Sequence, residues 1–454
     1  MSKRAYTVLP PDREEKVLGI FVRDASFYRT FFPLLFVIVL QQLAALAVNL
    51  ADNIMLGRYS ELALSGASLV NQLQFTLQQI AAGIGMGIVV LAAQYWGQKR
   101  TEPIKKIISL GVKCGFFSGV LFFAISQLAP AGVLGLFTRD TEVIAEGVRY
   151  LKVICWTYPV FGLSNSLMYA LQSVETAMIG TVMSCSTICI NVCLNYCLIY
   201  GNFGAPELGI ILVYILFLDK KLHMKLWELL RWDGTYLQDY LKVSTPIVIS
   251  GLLWGVAQAA QTAIPGHMSA TAIAANSIAI ILFEIFAVLG AACANTASVV
   301  TGKTIGAGKL DKVKAYSKTM QGIFLLGGLF SGGMLFWCKD WIVNFYTVSP
   351  AVKAMAVDFM TVLSVASIGS CYEYPVEGGI IAGGGSTKYA AVVDNLFMWL
   401  FTIPSAALSA FVFQFPPVVT FAFLKADQIL KCIPNCITCN RYRWVKRLTR
   451  GDSN

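Results

Sequence analysis

TFFPLLFVIVLQQLAALAVNLA, residues 30–51, is a run of 22 residues without a charge. Wound as a helix it extends about 33 Å, enough to cross the ~30 Å hydrocarbon core of a bilayer. Runs of this kind recur at Cys114–Thr138, Val153–Val174 and Thr176–Pro206. Leu62–Gln98 is longer still, and is read as a span plus a loop segment. Across all 454 residues the chain is 56% hydrophobic and only 13% charged. Its mean hydropathy is +0.65. A soluble protein of this length needs far more charged surface. The expected class is therefore all-α, a polytopic membrane protein. The formal charge of +10 does not point to nucleic acid, because the cations fall between the apolar runs and membrane topology accounts for them.

Lys and Arg in short loops mark the cytoplasmic side. Basic clusters stand at Lys3–Arg29, at Lys99–Lys106, at Lys220–Lys242, at Lys303–Lys318 and at Arg441–Arg450. The loops between them are poor in cations, as in GNFGAPELG (201–209) and FQFPP (413–417). Both termini then lie inside, and twelve crossings fit best. The first twenty residues have no apolar core with a cleavage site, so they do not read as a signal peptide. The expected organisation is a cytoplasmic segment at 1–29, an N-lobe bundle at 30–218 and a cytoplasmic linker at 219–240. A C-lobe bundle at 241–432 and a basic cytoplasmic tail at 433–454 follow. The location is the cell membrane.

The sequence matches itself at an offset of 209. Gly57 meets Gly266, Ser60 meets Ser269, Ser68 meets Ser277, Gly97 meets Gly306 and Lys105 meets Lys314. Thr138 meets Thr347 and Val148 meets Val357 without a gap. A repeat of six spans keeps its orientation, so the two bundles are expected to be related by a pseudo-twofold axis along the membrane normal. Two such bundles suit alternating access.

An ionisable residue inside a span costs at least ~2.5–3.5 kcal/mol and asks for a reason. Asp52 follows the first run directly, one turn after Asn49 and beside Asn53. A carboxylate with amide oxygens nearby suits Na+, or H+ if burial disfavours the charge. The plainer alternative is an interfacial acid paired with Arg58. Glu284 lies mid-run in ILFEIFAVLG, and its alternative is a protonated, hydrogen-bonded carboxyl. Asn191 and Asn195, four apart, share one helical face. With Gln42, Asn71, Gln78 and Gln261 they describe a polar, weakly acidic cavity. Each amide alone could simply bond across helices. Such a cavity suits amphipathic cations. Glu373 and Glu377 share a face near the cytoplasmic end of their span, and Asp394 reads as structural.

Twelve cysteines are present, and Cys185, Cys189, Cys193 and Cys197 make one stripe of small residues. Cys432, Cys436 and Cys439 lack a nearby fourth ligand for zinc, so they read as free thiols. Gly83, Gly85 and Gly87 in GIGMG serve close packing, because no strand precedes them and no Walker lysine motif exists. No cofactor is expected beyond a coupling ion, and no nucleophile, base or metal set suggests an enzyme.

Four stretches resemble the multidrug and toxic compound extrusion (MATE) family as an ordered set. They are NLADNIMLGRYSELALSGASL (49–69), AAQYWGQKR (92–100), NVCLNYCLIYGNFGAPELG (191–209) and GKTIGAGKLDKVKAYSK (302–318). The resemblance covers roughly residues 30–450. It implies a twelve-helix, two-lobed antiporter that exports drugs in exchange for Na+ or H+. Asp52 then matches the first-span cation-coupling acid, and Asn191 with Asn195 matches a fifth-span polar pair whose second member is aspartate in some relatives. The expected partners are small amphipathic cations and membrane lipid, with no nucleic acid, for a protein acting as a monomer.

Departures from the family pattern are specific. Only eleven uncharged residues, Leu208–Leu218, separate Glu207 from Asp219. As helix they reach about 16 Å, half a bilayer core, so the sixth span is about twenty residues short relative to the resemblance. Ala382 and Ser386 stand where an Arg and an Asp are usual, and Pro265 where an aliphatic residue is usual. The final crossing, Pro416–Leu424, is followed at once by Lys425 and Asp427. Two other readings therefore stand beside efflux: a lipid-linked precursor flippase of the same superfamily, and a truncated member that no longer transports.

Overall fold

A computed structural model of the chain describes residues 21–59, 61–136, 141–176, 234–344 and 348–449. The expected sixth-span defect at Leu208–Leu218, with Asn191 and Asn195, lies outside the described residues. Hydrocarbon offers no partner for backbone N–H and C=O groups, so uncharged runs must satisfy them internally as helices. The first run becomes α1 (Ala25–Tyr59), which carries Pro33 near its start. Leu62–Gln98 becomes one unbroken helix, α2 (Glu61–Gly97). The loop segment expected within that run is absent, because no proline or charge interrupts it. Then come α3 (Thr101–Leu128), the short α4 (Pro130–Leu134), α5 (Thr141–Ile154) and α6 (Tyr158–Ser173). The later helices are α7 (Leu237–Met268), α8 (Ala270–Gly306), α9 (Leu310–Val343) and α10 (Pro350–Tyr374). Among the described residues, eight helical segments are long and apolar enough to cross a membrane. The architecture is the all-α, polytopic class read from the sequence.

The chain forms two compact units: an N-terminal unit, Leu40–Leu252, and a C-terminal unit, Met1–Val39 with Leu253–Asn454. The internal repeat is visible in the element boundaries. Moving α2 by 209 residues gives 270–306, the bounds of α8, and both helices have 37 residues. The starts of α3 and α9, at Thr101 and Leu310, and of α5 and α10, at Thr141 and Pro350, are also 209 apart. The match extends to the turn that ends each long helix. Arg100 N–H donates to Tyr95 O at 3.1 Å, and Lys309 N–H donates to Thr304 O at 3.2 Å. The residue before each donor is left-handed, Lys99 at φ 59° and Gly308 at φ 72°. This is the six-to-one closure of a helix C-terminus, built with lysine in one copy and glycine in the other.

Small residues set the helix spacing in the N-terminal unit. Gly115 of α3 and Gly162 of α6 face each other so closely that a Cβ on either would strike the other's carbonyl oxygen. Gly83 and Gly87 of α2 sit on Val248 and Ser244 of α7. Tyr240 fixes the same pair of helices by donating its hydroxyl to Ile84 O at 2.7 Å. The close-packing role read for GIGMG is thus observed. A large apolar surface remains outside. Phe116, Phe117 and Leu121 of α3 are exposed, as are their repeat counterparts Leu325, Leu326 and Phe330 of α9. Patches of this size mark an apolar environment rather than water.

A charged staple fastens the residues before α1 to α9 within the C-terminal unit. Asp24 accepts hydrogen bonds from Lys312 Nζ at 2.6 Å and from Tyr316 Oη at 2.7 Å. Ser26 Oγ adds a third at 2.6 Å. The Lys312 ammonium, with these hydroxyls, holds the Asp24 carboxyl well below the usual carboxylate range. A depressed folded-state value means the stabilisation is present above the unfolded value, about 3.9 for Asp, and is lost as pH falls through the folded one. Thermal unfolding between neutral pH and about pH 3 is expected to show a larger fall in melting temperature for the natural chain than for Asp24→Asn. Equal falls would remove the staple from the account.

Candidate functional site

The last third of the C-terminal unit carries the densest buried charge among the described residues. Pro375 ends the regular part of α10, having no N–H to donate and a ring that crowds the preceding turn. The chain accommodates it by widening into a π-turn over Pro375–Ile381, a distortion that recurs at functional sites. Glu373 stands just before that turn and Glu377 within it, four residues on. Next come α11 (Thr387–Phe397), a π-turn at Met398–Thr402, α12 (Ile403–Ala407) and a third π-turn at Leu408–Val412. The chain then runs nearly continuously through α13 (Pro417–Lys425), α14 (Asp427–Leu430) and α15 (Cys432–Arg441). The segment expected as a basic tail starts packed, since Asn435, Cys439 and Trp444 are all buried.

Lys431, between α14 and α15, is the centre of the group. Its Nζ lies 2.9 Å from Asp394 Oδ1, 3.3 Å from Asp427 Oδ2 and 3.4 Å from Glu373 Oε1. Lys431 is only 4% exposed, and Glu373 and Asp427 are similarly enclosed. A buried ammonium is tolerated only when paired and hydrogen-bonded. Three carboxylates from three segments of chain meet that demand. Glu377, also buried, accepts a 2.6 Å hydrogen bond from Asn435 Nδ2. Tyr389 Oη donates to Asn435 Oδ1 at 3.2 Å and so orients that amide. Charges that follow the last apolar run therefore interrupt the helical path only briefly, at residues 426 and 431; they are satisfied inside the unit.

A second polar group lies in the same unit. Gln261 of α7 is buried, accepts from Lys425 Nζ at 3.2 Å and donates Nε2 to Met398 Sδ at 2.9 Å. Glu284 of α8 interacts electrostatically with that same lysine. Its own side chain is exposed on the unit. Gln261 and Glu284, picked from the sequence as cavity residues, are thus linked through Lys425, which the sequence reading treated only as the end of a span.

The N-terminal unit has a weaker polar interior. Gln172 of α6 donates to Gln41 of α1 at 3.5 Å, and both are buried. Gln172 Oε1 and Asn165 Oδ1 are buried acceptors without a hydrogen-bond partner among the described residues. Gln42 and Gln78 are half-buried, whereas Asn71 is exposed. Asp52 lies on α1, but its side chain is outside the described set. Asn191 and Asn195 are outside it altogether. Among the described residues no three His, Cys, Asp or Glu side chains are grouped to hold a metal ion. The eight described cysteines are unpaired.

Sequence reading did not single out Lys431, Asn435, Gln172 or Asn165 as site residues. One signal for the first two was available. Glu373 and Glu377 are four apart, and Asp427, Lys431 and Asn435 form a second stripe at the same spacing. Such stripes fall on single helical faces, and their opposite charges make them complementary.

Comparison with known proteins agrees with this architecture. The chain is 23% identical over 395 residues to a Listeria monocytogenes protein called probable multidrug resistance protein NorM, with 83% of this chain and 86% of that protein covered. A Bacillus cereus protein of the same name is 24% identical over 403 residues, with 84% and 87% covered. Among solved structures, a variant of the Vibrio cholerae MATE transporter VcmN superposes with a TM-score of 0.84 at 14% identity, covering 93% of this chain and 98% of that one. A MOP superfamily transporter from Pyrococcus furiosus gives 0.82 at 15% identity, covering 91% and 95%. These likenesses establish the fold. The model of the MatE family matches residues 37–197 and 246–408, most of the chain and both copies of the repeat, and the protein belongs to that family of multidrug transporters.

Proposed function

We propose that this protein is a secondary active exporter that antiports amphipathic cationic compounds against Na+ or H+ by alternating access. The observation that carries this reading is the family match over both repeats, together with the multidrug resistance names of its relatives. The charge inside the C-terminal unit supports a cationic cargo. Lys431 is outnumbered by Glu373, Glu377, Asp394 and Asp427, so the group is net acidic. A carrier of a pyrophosphate-linked lipid would be expected to need unneutralised cations, and Lys431 is neutralised. No ATP site is visible in the sequence, so the drive is an ion gradient. The protein acts as a monomer in the cell membrane with both termini cytoplasmic.

Expression in an efflux-deficient bacterium tests this directly. Cells carrying the chain are expected to expel a cationic dye such as ethidium faster than cells with an empty vector, and to stop when the Na+ and H+ gradients are collapsed. Efflux repeated with and without Na+ identifies the ion. The short stretch Leu208–Leu218 favours one competing reading, a transport-inactive member. Efflux no faster than the vector, restored by inserting a full-length sixth span, would establish it.

A further inference from the structure

Four cations at one end of the C-terminal unit take no part in the sites described above. Two belong to α9 and two to the end of α15 and the residues after it. Asn440 of α15 donates Nδ2 to Gln321 Oε1 of α9 at 3.3 Å. Nearer the start of α9, Lys314 Nζ stands 5.7 Å from the ring centroid of Tyr442. Numbers fall along α9 as they rise from α15 into the tail, so the two run in opposite directions here and their charged ends coincide. Lys318 is exposed on α9, and Arg441 and Arg443 are exposed on either side of Tyr442. Among the described residues none of Lys314, Lys318, Arg441 and Arg443 forms an ion pair. Asp311, one turn before Lys314, forms none either, and Asp24 is already held by Lys312.

The basic tail is fixed in place. Tyr442 takes a left-handed conformation at φ 55° and turns the chain at the end of α15. Trp444 is then buried and donates Nε1 to Cys439 O at 2.7 Å. Its ring lies against Gly384, where a Cβ would strike it, and Lys446 N–H donates to Gly384 O at 2.9 Å. This clamp keeps residues 441–443 beside α9. Past the cations the surface turns apolar. On α15 the exposed Ile433 and Ile437 lead, at a spacing of four, to Arg441. On α9 the exposed Leu325 lies two turns beyond Lys318. Positions four or seven apart share a helical face, so each helix carries an apolar stripe that ends in a cation at the same rim.

We propose that this rim is a binding site for an anionic phospholipid. Lys314, Lys318, Arg441 and Arg443 hold the headgroup phosphate, and the stripes of Leu325 and of Ile433 with Ile437 receive the acyl chains. A phosphodiester meets charge that no carboxylate neutralises, and arginine pairs with phosphate oxygens through two N–H groups. A soluble anion would satisfy the cations and leave both stripes unused. The choice of the cytoplasmic leaflet rests on the orientation proposed above. The binding itself rests neither on that orientation nor on the drug or the coupling ion, so it fails or stands separately from efflux.

Native mass spectrometry of the purified full chain tests the site, with phosphatidylglycerol and phosphatidylcholine of identical acyl chains offered in equal amounts. The natural chain is expected to retain phosphatidylglycerol preferentially. Lys318→Gln combined with Arg441→Gln is expected to lower that preference at least ~10-fold, because each Lys or Arg near an anionic headgroup contributes ~1 kcal/mol. Lys99→Gln combined with Lys242→Gln removes the same charge from exposed positions of the N-terminal unit, and is expected to leave the preference unchanged. An equal loss in that control would reduce the effect to net charge and overturn the site. A natural chain that retains both lipids alike would overturn it as well. Glycerol phosphate at millimolar concentration is expected not to displace the lipid; displacement would remove the apolar stripes from the site and overturn the lipid assignment. All four substitutions replace exposed side chains, and melting curves confirm that both double variants are folded before the spectra are compared.

Discussion

Replacing Lys431 with methionine is expected to destabilise the protein by about 3–5 kcal/mol, the cost of removing one partner from a buried ion pair. Methionine fills much of the lysine stem's volume, so the loss is electrostatic rather than a cavity. What remains is Glu373 and Asp427, both buried, and Asp394, with no ammonium between them. Their mutual repulsion in a low-dielectric setting pushes α10, α11 and the α14–α15 junction apart. Two further measurements separate this from general damage. Acidification should restore part of the melting temperature of Lys431→Met, because protons discharge carboxylates that lost their counterion. Adding Glu373→Gln to Lys431→Met should also recover stability, a coupling that independent sites would not show. A melting temperature for Lys431→Met equal to that of the natural chain, at neutral pH in the same detergent, would falsify the central role of this lysine.

That lysine also shows where sequence reading stops. The fold was legible because hydrocarbon imposes one rule on every backbone group, and uncharged runs report it directly. The repeat was legible because its offset keeps glycines and loop cations in step, and the starts of α2, α3 and α5 do recur 209 residues later in α8, α9 and α10. Lys425 and Asp427 were read by the same rule, and Lys431 was not singled out at all. Taken locally, a charge after nine apolar residues ends a span. Only the pairing of residue 431 with 373 and 394, nearly sixty and forty residues away, shows why the helical path continues. Pair energies of that kind depend on which faces meet, and a single sequence does not list them. Gln261 and Glu284 illustrate the intermediate case. Their polarity inside apolar runs marked them, but their shared neighbour, Lys425, came from the fold. Leu62–Gln98 failed in the opposite direction. Its length suggested a loop, whereas nothing in it breaks a helix, and α2 runs through it.

Asp52→Asn is expected to reduce dye efflux to the level of cells carrying an empty vector while leaving the amount of folded protein unchanged. Asp52 follows 22 uncharged residues of α1, and an acid at such a place is retained at a cost of at least ~2.5–3.5 kcal/mol. Asparagine has nearly the same size and shape, so it removes the charge without forcing the helix to repack. A purely structural carboxylate, paired with Arg58 across the loop, would lose stability on this change. A coupling carboxylate would lose transport and keep its melting temperature. Asp52→Glu sharpens the distinction. It preserves a group that can bind Na+ or H+, and is expected to retain efflux with an altered pH or Na+ dependence, since the longer side chain moves the charge relative to Asn49 and Asn53. If efflux by Asp52→Asn matches the natural chain, the driving ion binds elsewhere.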